Sequence, residues 1–141
     1  MHANRTHLIP TLMLGLLFPP TVAQAAPDQV IVYTTSDIHL SGVPADAKII
    51  SLDRVQVLEE QISHGLSANP QQAQAQINQL MGSSRWLKFK DEIKEANRGL
   101  QQAWAVKIDK LPAVTVNDSH VVYGQPNVAV ALEMIRKARG L

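Results

Sequence analysis

The chain has 141 residues, 13 lysines and arginines against 12 aspartates and glutamates, and no cysteine. A balance this close to neutrality argues against a nucleic-acid or anionic-membrane surface, since both need a basic footprint. The absence of cysteine excludes disulfide staples, thiolate metal sites and thiol catalysis together, so the fold must stand on its apolar core alone.

Residues 1–25 read as a cleavable export signal. Arg5 and the terminal amine supply positive charge, Leu8 to Phe18 is almost wholly apolar, and Pro19-Pro20 breaks any helix. Ala23-Gln24-Ala25 fits the small-x-small rule and predicts cleavage after Ala25. The apolar run is interrupted by Pro10 and is shorter than the roughly 20 residues that span a bilayer. Residues 26–141 remain, enough for one domain, with acids and bases equal once Arg5 is lost.

Val30 to Thr35 is dense in β-branched and aromatic residues and predicts a buried strand. Ser36 to Asp46 holds Gly42 and Pro44 and reads as a loop. Lys48 to Leu52 is a second strand. Asp53 is expected to cap a helix, with Gln56 in the capping-box position, Val55, Leu58 and Ile62 on its apolar face, and Gly65 at its end. Asn69-Pro70 predicts a second helix start, with Gln72 completing the box and Ala73, Ile77, Leu80 and Met81 as the buried stripe. Ser83-Ser84 opens a third and longest helix. Trp86, Phe89, Ile93, Ala96, Leu100 and Ala103 keep to one face of it, Trp104 extends that face, and the charges between them form its wet side.

Lys107 to Gly124 predicts two strands. Pro112 opens the first, Asn117-Asp118-Ser119 makes the turn, and Val121-Val122-Tyr123 is the second. A last helix follows from about Pro126, with Val128, Ala131, Leu132 and Ile135 on one side and Arg136, Lys137 and Arg139 near its C-terminus, where the dipole favours cations. Tyr123 is expected to pack its ring in the core with its hydroxyl at the surface. No internal repeat or linker interrupts the chain. Neither a Gly-x-Ser-x-Gly elbow nor a phosphate-binding glycine loop occurs.

The order strand, loop, strand, three helices, strand, strand, helix resembles a thioredoxin-like domain. Val30 to Ser36, Ile50-Ser51-Leu52-Asp53, Asn69-Pro70 with Ala73 and Ala75, and the block from Lys110-Leu111-Pro112-Ala113-Val114 to Tyr123-Gly124-Gln125-Pro126-Asn127-Val128 together carry a narrower likeness. The chain is similar to a family of exported thioredoxin-like proteins encoded by integrating conjugative elements. That resemblance implies an α/β fold: a sheet of about four strands with a three-helix insertion between the second and third. It also implies a cis bond before Pro112, and a place in the periplasm as an accessory of a conjugative type IV secretion apparatus. It supplies no reaction.

The expected working surface is the edge at Leu111 and Pro112, where an extended partner segment adds to the sheet, with the loop carrying Ser36, Asp37 and His39 beside it. That loop lies where redox relatives of the fold carry Cys-x-x-Cys; serine supplies neither disulfide nor thiolate. Partners are expected among conjugation or type IV secretion proteins. No cofactor, metal or stable membrane anchor is expected after signal cleavage. Two other readings stand beside this one: a chaperone for exported secretion or pilus components using the three helices as an apolar cradle, and a metal-dependent hydrolase using Asp37 and His39. Convergence of His39, His64 and His120 on one metal is not suggested by their spacing.

Overall fold

The computed structural model describes residues 26–141, so the predicted export signal lies outside the described residues. In chain order the elements are β1 (Val30–Thr34), β2 (Lys48–Ser51), α1 (Arg54–Ser63), α2 (Pro70–Met81), α3 (Ser84–Ala105), β3 (Ala113–Val116), β4 (His120–Tyr123) and α4 (Val128–Ala138). The four strands form one mixed sheet in the order β2-β1-β3-β4. β1 and β2 are parallel; β3 is antiparallel to both β1 and β4.

Strand alternation sends successive side chains to opposite faces, and each face has its own core. Val32, Val114 and Val116 meet Val128, Ala131 and Ile135 of α4 on one side. Ile31, Tyr33, Ile50 and Ala113 meet Ala103 of α3 on the other. The result is three layers, helix, sheet and helix. Fully burying one such aliphatic side chain contributes about 1.5–3 kcal/mol, so the two clusters carry most of the stability. α3 approaches β2 so closely that a Cβ on Gly99 would lie 2.7 Å from Cγ2 of Ile50; only glycine fits there undisturbed.

The parallel pair β1 and β2 is joined without a helix. The connecting loop instead lays Leu40 and Val43 on the α4-side core. It is pinned where Ser41 N donates to Pro126 O at 3.0 Å and Val128 N donates to Ser41 O at 2.8 Å. At the hairpin between β3 and β4, Asn117 and Asp118 both take positive φ, which short polar side chains tolerate.

Capping follows the sequence at α2 and α3, and α4, expected from about Pro126, is capped by Asn127. Asn69 accepts from the N–H groups of Gln71 and Gln72, Ser83 from Trp86, and Asn127 from Val130. It departs at α1, where Asp53 makes no side-chain cap. Gln72 does not close a box either; its side chain accepts from Ser67 Oγ at 2.9 Å. The helical stripes also differ from expectation. α2 buries no residue, and Met81 is exposed. α3 buries only Gly99 and Ala103, and Trp104, expected to extend the buried stripe, is 87% exposed.

Candidate functional site

Register brings three segments to one end of the sheet. Thr34 pairs with Ser51 in the parallel ladder, and Leu52 N donates to Thr34 O at 2.8 Å, so β1 and β2 leave the sheet side by side. β3 runs the other way with Ala113 opposite Tyr33, so Leu111 and Pro112 arrive next to the same exit. The expected Ser36–His39 loop and the Leu111-Pro112 edge are therefore neighbours.

Asp53 organises this end. Its carboxylate accepts from Ser36 N at 2.9 Å, from Ser36 Oγ, and from Ser51 Oγ at 2.6 Å. Hydrogen bonding to the charged form favours it. The Ser36 hydroxyl first, then that of Ser51, lower the carboxyl to about 2. Asp53 is thus a fixed anion that ties the turn after β1 to the end of β2, not a group poised to exchange a proton near neutrality. Asp37 and His39 sit exposed on the same loop, and neither makes a side-chain hydrogen bond among the described residues. His64 caps the end of α1 within the helical insertion, and His120 opens β4 beside the Ser119 hydroxyl. Among the described residues no group of three or more histidines, aspartates or glutamates is placed to share a metal ion.

The Leu111-Pro112 peptide is cis. Pro112 is buried, and its carbonyl accepts from Gly124 N at 2.8 Å. Leu111 packs against the α3-side core, while its own N–H and C=O enter no backbone hydrogen bond among the described residues. On the same α3-side cluster opens a hollow of about 350 Å³ lined by Leu52, Leu100, Gln101, Ala103, Trp104 and Ile108. Tyr33 is fully buried in the cluster that Leu52, Ile108 and Leu111 pack against, and its hydroxyl has no partner among the described residues. Burial pushes that phenol up to about 12. Tyr123 is more exposed than expected; its hydroxyl reaches the Lys107 carbonyl at 3.4 Å.

Two residues of this end escape a linear reading. Asp53 reads as a helix cap; the signal for its other role is strand alternation, which aims Ser51 and Asp53 to the same side. Trp104 reads as core; the small residues Gly99 and Ala103, four apart, mark the face of α3 that meets the sheet, and Trp104 lies off it.

Residues 27–140 match the family described as a protein of unknown function, DUF1525. The chain belongs to this family. No curated protein and no solved structure matches it significantly. The DUF1525 match spans nearly all of the described residues and brings no activity with it. No helix among those residues is long and apolar enough to cross a membrane.

Proposed function

We propose that this protein is a non-enzymatic periplasmic accessory of the conjugative type IV secretion apparatus of an integrating conjugative element, acting through protein–protein contact on a thioredoxin-like sheet. The sheet order, with a parallel pair at one edge and an antiparallel hairpin at the other, supports that fold type. The observation that carries the functional reading is that the unpaired Leu111 backbone and the hollow lined by Trp104 share one core cluster through Leu52, Ala103 and Ile108. Unpaired main-chain groups at the end of a sheet offer hydrogen bonds to an incoming strand, and a nearby pocket selects a side chain. Ser36, tied to Asp53, begins the polar loop that carries Asp37 and His39 at the same end of the sheet. Exposed aromatic residues that contribute nothing to a core are common interface anchors. Purified protein titrated against the periplasmic proteins of the apparatus is expected to bind one of them. Trp104→Ala should weaken that complex at least tenfold; equal affinity of the variant refutes the surface.

A second reading, a chaperone for exported secretion or pilus components, is favoured by one observation: the helical insertion leaves Met81 and Leu87 exposed and α2 without a buried residue. Suppression of pilin aggregation that disappears in Leu87→Lys supports it. No suppression by the wild type removes it.

A further inference from the structure

The free edge at the other side of the sheet carries its own information. Gly124 N donates to Pro112 O, and Val114 stands opposite Val122, so His120, Val122 and Gly124 aim their main-chain groups at β3. In an antiparallel ladder these groups alternate in direction. Val121 and Tyr123 therefore aim both N–H and C=O away from the sheet, and β4 is an edge strand with no neighbour on that side among the described residues. Their side chains are 42% and 36% exposed.

Proteins blunt such edges with a lysine, a proline, a bulge or a covering segment. β2, the opposite edge, begins with Lys48 and borders a groove lined by Arg54, Glu92 and Glu95. β4 has none of these devices: its register is continuous and Val121-Val122-Tyr123 carries neither charge nor proline. An edge left open and apolar is a template for another strand.

The strand is complementary to itself. We propose that two copies of this chain pair through β4, antiparallel, about a two-fold axis at Val122. Val121 then faces Tyr123 of the partner subunit, and Tyr123 faces Val121 of the partner subunit. Each pair exchanges both of its main-chain hydrogen bonds and sets an aromatic ring against a β-branched residue, a favourable cross-strand combination. His120 falls opposite Gly124 of the partner subunit, where no side chain crowds it and no like charge opposes it. The interface is isologous, as a closed dimer requires, and it continues the sheet to eight strands. The axis passes one strand away from Pro112, so both partner-binding ends stay open.

Sedimentation velocity on the protein produced from the full sequence is expected to show the mass doubling as concentration rises. Val121→Pro removes an outward N–H without touching the β3 ladder, a position where an edge strand accepts proline; it should stay at the mass of one chain with unchanged circular dichroism. Val122→Cys reads the register directly, because the chain has no other cysteine. A non-hydrogen-bonded pair on the axis brings the two Cα atoms to about 4.5 Å, within disulfide range. Mild oxidation should convert most of Val122→Cys to a covalent dimer and leave Val130→Cys, exposed on α4, uncoupled. A wild type with the mass of one chain at every concentration, a dimer undiminished by Val121→Pro, or equal cross-linking of the two cysteine variants would each overturn the proposal.

Discussion

Gly99 tests how α3 is seated. Alanine there gains about 1 kcal/mol of helix propensity over glycine. Its methyl carbon would stand 2.7 Å from Cγ2 of Ile50, where carbon contacts settle at about 3.5–4.0 Å. Overpacking of this kind costs about 1–3 kcal/mol. The two terms leave Gly99→Ala less stable by about 1 kcal/mol, a fall in Tm of about 4–5 °C for a domain of this size. Ile50→Ala alone should cost about 2–5 kcal/mol, the range for truncating a buried isoleucine. In that background the clash is gone and only the propensity gain remains, so adding Gly99→Ala should stabilise by about 1 kcal/mol. The reversal of sign corresponds to a coupling of about 2 kcal/mol, readable by urea denaturation as a double-mutant cycle. If Gly99→Ala stabilises the wild-type background as much as the Ile50→Ala background, α3 does not press on β2 at this point.

Three further outcomes follow from the site. Asp53 is held near 2 in the folded chain against an ordinary aspartate value of 3.8. A depressed carboxyl contributes stability above its unfolded value that is lost as pH falls toward the folded one. Asp53→Asn should therefore be less stable at neutral pH and show a flatter acid limb between about pH 4 and pH 2; an unchanged acid limb contradicts the hydrogen-bond assignment. Tyr33, raised to about 12, loses stability as pH climbs from 10 upward. Tyr33→Phe removes a buried hydroxyl that has no partner among the described residues and should stabilise by about 1 kcal/mol or leave stability unchanged; a loss of 2 kcal/mol or more in thermal unfolding would show that the hydroxyl is satisfied. Asp37→Ala with His39→Ala, both exposed, should stay within about 0.5 kcal/mol of wild type, and elemental analysis should find the metal content of the two proteins equal.

The parts of the fold legible in the sequence are those set by local chemistry. Val30 to Thr34 is β-branched and aromatic without interruption, and it forms a central strand buried from Ile31 onward. Asn69 and Ser83 cap helices because their side chains reach N–H groups two or three residues away. Long-range contacts decide the rest. Asp53 sits in a good cap position, yet Ser36, 17 residues earlier, and Ser51 claim its carboxylate. Periodicity assigns α3 a broad apolar face, but Gly99 against Ile50 rotates a narrow strip of it to the sheet and turns Trp104 out. The stripe of α2 faces α3 and the end of α1 rather than the sheet, so the same period that predicts burial leaves Ala73, Ile77 and Leu80 half-buried. That the Leu111-Pro112 edge and the Ser36 loop are neighbours is what the family resemblance implies; the hollow is not legible, since it is assembled from the end of β2, α3 and the segment before β3.

The most direct test of the proposed role is conjugative transfer from a donor that lacks this gene, complemented at matched protein levels by wild type, by Trp104→Ala, or by Asp37→Ala with His39→Ala. Transfer should fall without the gene and return fully with wild type, and Trp104→Ala, whose side chain supports no core, should fail to restore it. Transfer that is unchanged without the gene, or restored equally by Trp104→Ala, contradicts the account.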